Sequence, residues 1–359
     1  MTSHSARVSP SSSSLLIADD DLFLEHVAPP DHPECGERLL AVRAGLARAT
    51  AALGGGHTYT KLQLGDASDE QLARVHTQAH IEQLGHLAGR SGFLESDTYL
   101  SPGSVGAARR AAGAAVALVD ALHEGQGRVG FALPRPPGHH ALADRAMGFC
   151  LFNNVAVAAA HARARGRERV LVLDWDVHHG NGTEAIFYDD PSVLFVSLHQ
   201  YPNYPGTGAD VDVGSSDGVG RNVNLPLPPG GGDALYAAAF ERVVLPIIEQ
   251  FAPDFALVSC GFDAHVRDPL AKMQLSSSVY GSLTSSLLSG LPASCPLGLV
   301  LEGGYDLQAL TESSEAVAKA LFGQAPSVPL ATHASSLSAV SSAVLTQIAD
   351  VQASFWRLP

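Results

Sequence analysis

An α/β fold built on a mostly parallel sheet, with helices covering both faces, is the class this sequence predicts. Two observations carry that prediction. Short apolar runs alternate with helical stretches along most of the chain, the pattern of successive parallel strands and their right-handed crossovers. The runs are also continuously apolar, as strands buried on both faces require, and several end abruptly in acids, histidines or tyrosine. At 359 residues the chain exceeds the usual domain size, yet one large sheet can hold it, so a single domain over 16–359 is expected after a tail at 1–15.

The leader MTSHSARVSPSSSS lacks an apolar core and has the composition of a disordered tail; with Arg7 and no acid before Asp19 it also matches a weak transit segment. In HPECGERLLAVRAGLARA, Pro33 stops one element, and Leu39, Leu40, Val42 and Leu46 begin the apolar face of a helix starting near Arg38. Periodicity predicts a second helix over 69–87 and, beyond the loop SGFLESDTYLSPGS, an alanine-rich helix over 107–123. A strand over 129–133 leads into the turn-rich PRPPGHHALADRAMGFC and a helix over 154–165 closed by Gly166. The next strand, 169–173, runs into LDWDVHHGNGT and a short helix over 183–188. A strand over 193–198 precedes the long polar loop HQYPNYPGTGADVDVGSSDGVGRN. Asp233 is expected to cap a helix reaching 251, kinked or interrupted at Pro246. Strands over 255–260 and 297–301 lead into GFDAHVRDPL and EGGYDL, and helices over 307–322 and about 335–353 close the chain.

Composition narrows the function classes. Hydrophobic residues make up 46% and charged residues 16%, which suits a large buried sheet rather than a disordered chain. With 22 basic against 36 acidic side chains the formal charge is −14, and no basic patch is visible, so direct nucleic-acid binding is not expected. Cationic substrates such as lysine-rich peptides or polyamines suit that charge, as does simple solubility. Cys35, Cys150, Cys260 and Cys295 are widely spaced with no CxxC, which argues against a cysteine zinc site or a disulfide framework and for a reducing compartment. No apolar run approaches the ~18 residues of a membrane span. A cytoplasmic protein without a membrane partner is the expectation, and assembly into a homo-oligomer is compatible with it.

In sheets of this class, ligands bind beyond the carboxyl ends of the strands. Polar clusters fall there four times: His139 and His140, the Asp174 group, Asp263, and Tyr305. Asp174, Asp176 and His178 stand at i, i+2 and i+4, on one side of an extended strand end. Asp176, His178 and Asp263 form a three-ligand set that leaves a coordination position for water and substrate, as catalytic zinc sites do. The chemistry of such a site is hydrolysis of an amide or ester. Two carboxylates make it harder than a three-histidine site, so iron(II) or manganese fits beside zinc. His139 and His140 would point to opposite sides of a regular strand, but Pro136, Pro137 and Gly138 make irregular backbone the expectation. Asp174 and Asn181 are available to fix their tautomers. An acid partner favours an imidazolium and an amide partner does so less, leaving one histidine better suited to act as base. Tyr305 follows Gly303 and Gly304, and its hydroxyl could donate to an oxyanion; Phe149 and Tyr204 could wall a narrow apolar slot.

The pieces RPPGHHA, GFCLFNN, LDWDVHHGNGT, VSLHQYPNYPGTG, SCGFDAH, DPL and LEGGYDL, in this order, resemble the zinc-dependent histone deacetylase and acetylpolyamine amidohydrolase family over about residues 19–322. The resemblance implies the arginase/deacetylase fold, an eight-stranded parallel sheet between helices, with 16–359 as one catalytic domain. It implies zinc on Asp176, His178 and Asp263, His140 as general base and then acid, His139 as an electrostatic helper paired with Asp174, and Tyr305 polarising the acetyl carbonyl. Phe149 and Tyr204 would flank the acetyl-lysine stem, with Gly148 lining the tunnel and Asp97 among the substrate-binding residues. Arg38 matches the arginine of the family's acetate channel. A structural potassium would sit on Asp174, Asp176, His178, Ser197 and Leu198. Asn181, the expected partner of His140, stands where class I members usually carry aspartate, which makes the chain similar to class II and its bacterial relatives. Leu270 occupies a gate position where polyamine deacetylases carry glutamate, so acetyl-lysine in proteins or peptides is the expected substrate, with a small acetylated amine as the alternative. Cys35 and Gly36 depart from the proline common among relatives. His179 is expected to point away from the metal. A non-catalytic acetyl-lysine binding scaffold would predict lost ligands or a lost tyrosine, and the sequence has neither.

Overall fold

The computed structural model describes residues 14–54, 56–333 and 337–359. Eight strands form one sheet: β1 (Ser14–Ala18), β2 (Thr58–Lys61), β5 (Val129–Ala132), β6 (Val170–Asp174), β7 (Val193–Gln200), β8 (Asn222–Leu227), β9 (Phe255–Cys260) and β10 (Leu297–Leu301). A separate antiparallel pair, β3 (Gly92–Phe93) and β4 (Tyr99–Leu100), lies in the loop before the alanine-rich helix. The order across the large sheet is β2-β1-β5-β10-β9-β6-β7-β8, and every pairing in it is parallel.

The central strands β5, β10, β9, β6 and β7 are buried along their whole length, as their unbroken apolar runs require. Helices cover the sheet; among them Gly36–Leu53 packs against Leu307–Leu321, and Ser104–His123 against Asn154–Ala164. Because β5, β10, β9 and β6 are neighbours in the sheet, the loops leaving their carboxyl ends share one rim. Those loops carry the histidine pair, Tyr305, Asp263 and the Asp176 segment.

Several elements differ from expectation. Ser14 and Leu15, assigned to the tail, belong to β1, whose Ile17, Leu16 and Ser14 pair with β2; residues 1–13 of the expected tail lie outside the described residues. The helix expected over 69–87 is two helices, Asp69–Leu72 and Gln78–His86. The break is used for packing: Thr77 caps the second helix through His80 N, its own N–H donates to Ala143 O, and the buried His76 ring accepts from Asn153 N. Asp233 is the first helical residue rather than the cap; its carboxylate instead accepts from Ser276 N at 2.8 Å and Ser276 Oγ at 2.6 Å. The helix continues through a π turn at Phe240–Val244, where Leu245 N donates to Phe240 O, into Leu245–Phe251, whose first turn holds Pro246. The last helix is Ala339–Gln352, capped by Ser338, with 334–336 outside the described residues. Among the described residues no helix is long and apolar enough to cross a membrane.

Candidate active site

Asp176 and His178 follow β6, and Asp263 follows the neighbouring β9. One ligand atom from each lies within 4.8 Å of the others, and all three residues are buried. His178 Nδ1 is 3.2 Å from Asp176 Oδ1 and 3.1 Å from Asp263 Oδ2. Backbone N–H groups hold the carboxylates in place: Gly303 N donates to Asp176 Oδ2 at 2.7 Å, and Val177 N to Asp263 Oδ1 at 2.7 Å, leaving Asp263 Oδ2 toward the histidine. Gly303 is required there, since a Cβ would stand 2.2 Å from Asp263 Oδ2 and 2.6 Å from Asp176 Oδ2.

Asp174, Asp176 and Asp263 are all fully buried, an excess of negative charge that only a cation compensates well. Burial and then the Asp176 charge push the Asp263 carboxyl up to about 6. Burial opposes charge on His178, but Asp176 and Asp263 outweigh it and raise the imidazole to about 10. Two carboxylates and one imidazole converging on one point fit a divalent transition ion, with zinc, iron(II) and manganese all matching this donor chemistry.

The loop after β5 delivers the histidine pair, whose ring centroids are 4.0 Å apart. His139 Nδ1 lies 3.0 Å from Asp174 Oδ2, whereas His140 Nδ1 lies 2.7 Å from Asn181 Oδ1. The two rings are therefore unlike. Burial disfavours charge on His139, but Asp176 and Asp174 overcome it and hold the imidazole well above its ordinary value. Burial, then His139 and His178, depress His140 well below it. An amide oxygen only accepts, so His140 donates from Nδ1 and keeps a free lone pair on Nε2.

A pocket of about 210 Å³ opens over this centre, lined among others by Asp97, Gly148, Phe149, Tyr204, Leu270 and Tyr305. The Tyr204 ring stands edge-on to His140 at 5.1 Å, and Phe149 edge-on to Tyr305 at 5.9 Å. Gly148 has φ +56°, and a Cβ on it would meet the His140 ring at 2.5 Å. Phe149 also holds a left-handed backbone, φ 69°, and its N–H donates to Thr98 Oγ1, which in turn donates to Asp97 Oδ1. The wall residue and the rim acid are thus tied together.

Arg38 is buried beneath Tyr305, its guanidinium 4.9 Å from the ring centroid, and donates to Gly304 O, Glu302 O and Glu34 Oε1. Ser197 is the register partner of Asp174 across β6 and β7. His199 Nε2 faces Gly208 O and so donates, which leaves Nδ1 to accept from Ser197 Oγ; the serine oxygen keeps its lone pairs. Ser197 Oγ, one strand over from Asp174, is thereby left as an oxygen donor of the kind hard cations take. His179 turns away, toward Thr207 Oγ1 at 2.8 Å and Glu184 Oε2 at 3.1 Å.

Sequence reasoning missed four buried charged groups around the site. Glu34 accepts from both Arg38 and Arg135, at 2.8 Å and 2.6 Å. Glu302 Oε2 accepts from Gly138 N at 2.7 Å and His139 N at 3.2 Å, so it holds the histidine loop. Asp268 accepts from Leu270 N and Tyr305 N. Arg135, Glu302 and Asp268 lie inside the recognised motifs and Glu34 in the entry segment before the first long helix; the usable signal was a lone charge next to a proline or glycine.

A family model described as "Histone deacetylase domain" matches residues 32–321. Histone deacetylase 15 of Arabidopsis thaliana is 40% identical over 359 residues, which cover 97% of this chain and 64% of that protein. An uncharacterized protein of Synechocystis, slr0245, is 44% identical over 297 residues, covering 81% of this chain and 94% of its own. The chain thus spans less than two thirds of the first relative and nearly all of the second. The crystal structure of the HDA15 HD domain superposes with a TM-score of 0.87 at 39% identity, covering 96% of both chains.

Proposed function

The chain belongs to the histone deacetylase family, and we propose that it hydrolyses the acetyl amide of N-acetyl-lysine side chains in proteins or peptides. The observation that carries this reading is the meeting of a three-donor set, two histidines with unlike partners and Tyr305 around one narrow pocket.

Asp176, His178 and Asp263 would hold one divalent ion, zinc first, with iron(II) or manganese as alternatives. Such an ion supplies Lewis-acid polarisation of an amide carbonyl and lowers the pKa of water toward neutrality. The remaining work falls to the chain. Phe149 and Tyr204 flank the aliphatic stem, and Gly148 leaves room for it beside His140. His140 Nε2, free to accept, takes a proton from the attacking water and returns it to the leaving amine as the C–N bond breaks. His139, paired with Asp174, carries positive charge close to the charge that develops on the acetyl oxygen. Tyr305 donates to that same oxygen. Products are acetate and a free lysine amine, and Arg38 beneath Tyr305 offers the acetate a cationic route inward. Potassium on Asp174, Asp176, His178, Ser197 and Leu198 would stiffen the loop that carries the ligands. Leu270 at the pocket wall offers nothing to pair with a distant second amine, which favours lysine over polyamine. Asp97 at the rim faces the substrate outside the slot.

An intracellular, reducing setting accompanies this reading, since all four cysteines are free. The test is kcat/KM for acetate release from an acetyl-lysine peptide and from acetylspermidine by the metal-replete protein. The reading expects the peptide to be preferred; preference for acetylspermidine overturns the substrate, and no acetate from either overturns the activity.

A further inference from the structure

The geometry points to Asp268 as a positioning residue: we propose that its carboxylate sets the Tyr305 hydroxyl at the reacting carbonyl and ties that setting to the Leu270 wall. The proposal rests on the functional reading above for what Tyr305 does, but not for how it is held.

Tyr305 sits in a segment that has no ladder of its own. It follows β10, precedes the helix Leu307–Leu321, and passes through Gly304 at φ +118°. Such a stretch keeps its course only if its polar backbone groups are taken up from outside. Three buried charged side chains do this at three successive residues. Asp176 accepts from Gly303 N at 2.7 Å, Arg38 donates to Gly304 O at 2.5 Å, and Asp268 Oδ2 accepts from Tyr305 N at 2.7 Å. The first is a metal-ligand candidate and the second stacks on the Tyr305 ring. Asp268 does neither, so the structure leaves it only the holding role.

Its other oxygen makes the link to the wall. Asp268 Oδ1 accepts from Leu270 N at 2.9 Å, while its own N–H donates to His265 O at 2.9 Å. One carboxylate, 7% exposed, thereby spans the two loops that carry Leu270 and Tyr305 on the pocket wall. Two N–H donors aimed at two oxygens require an acceptor at both positions, which a carboxylate provides and an amide does not. Asp268→Asn must turn its NH₂ toward one of the two N–H groups, so one anchor is lost with almost no change in volume. Misplacing a catalytic group by about 1 Å costs on the order of 10²-fold in rate.

The experiment compares wild type, Asp268→Asn, Tyr305→Phe and the double variant at a pH near 8, above the value of about 7 to which burial and then Asp263 push this carboxyl. Two readouts are taken: kcat and KM for acetyl-lysine peptide, and hydrogen exchange of the Tyr305 amide. The proposal expects Asp268→Asn to lower kcat by about 10- to 100-fold with KM within about twofold, and to cost less than about twofold further in the Tyr305→Phe background. It also expects faster exchange at Tyr305. Equal losses in both backgrounds, or unchanged exchange, overturn it, because a residue that only stabilises the fold would act without regard to the tyrosine hydroxyl. If wild type releases no acetate the functional reading falls, and exchange alone then decides whether Asp268 holds the segment. Should the asparagine variant not fold, Asp268→Glu, which keeps the charge one methylene out of place, is expected to show the same non-additive loss.

Discussion

Replacing Asn181 by aspartate changes one atom beside the proposed base, and its effect can be worked out from the site. His140 Nδ1 is 2.7 Å from Asn181 Oδ1, and the imidazole is depressed by burial first, then by His139 and His178. A carboxylate at that oxygen would add an opposite charge about 4 Å from the centre of an imidazolium, worth about 4 kcal/mol at an effective dielectric near 20. That is an upper bound of ~3 pH units, and with the cost of burying the new carboxylate a rise of about 1–2 units is expected. The exchange is isosteric, and the contact it removes on the far side, Asn181 Nδ2 to Met147 Sδ at 3.5 Å, is weak. The base must be neutral to act, so activity is lost as pH falls through its pKa. In wild type that limb should lie below the ordinary imidazole value of about 6.5. In Asn181→Asp it should move upward by that same ~1–2 units, so that the variant loses activity at acid pH where wild type keeps it and differs little near pH 9. The assay is kcat/KM for acetyl-lysine peptide across pH, which reports groups in the free enzyme. An acid limb that stays in place, or moves down, would refute His140 as base with Asn181 as its partner.

Further perturbations test other parts of the account. Gly303→Ala should abolish stoichiometric zinc binding while leaving the fold in place, because its Cβ would stand 2.2 Å from a ligand oxygen; isothermal titration with zinc checks this, and full binding would contradict the ligand set. Glu34→Gln leaves the Arg38 and Arg135 guanidiniums buried without their shared counter-charge and should lower unfolding free energy by about 3–5 kcal/mol in denaturant titration; a loss under ~1 kcal/mol would contradict a buried, tightly paired cluster. Leu270→Glu should raise kcat/KM for acetylspermidine relative to acetyl-lysine peptide by roughly two- to fivefold, the worth of a partly exposed ion pair, and no change would remove Leu270 from selectivity.

Much of this architecture was legible before the fold was known, and the illegible parts share physical causes. The five central strands announce themselves because burial on both faces demands unbroken apolar runs. The edge strands do not: β2 reads TYTK and is largely exposed, and β8 reads NVNLPL, with a proline tolerated where a strand has only one neighbour. The apolar part of β1, LLIA, is too short to stand out behind a serine-rich leader. At the site, residue types that do chemistry stood out at strand ends, whereas Glu34, Glu302 and Asp268 act on backbone and on other charges across large sequence separations. Asp268 is 37 residues from the Tyr305 N–H it holds, a relation no local pattern encodes. The break at Thr77 and the reassignment of Asp233 have the same origin: polar groups there bind other loops, the Thr77 N–H to Ala143 O and the Asp233 carboxylate to Ser276.

The central claim is that Asp176, His178 and Asp263 hold one catalytic divalent ion. Its most direct test is to strip the protein with a chelator, add zinc back in measured steps, and follow acetate release from an acetyl-lysine peptide. The account predicts no turnover in stripped protein and activity that climbs to a plateau at about one equivalent per chain. Turnover by fully stripped protein, or a plateau near two equivalents, would contradict it.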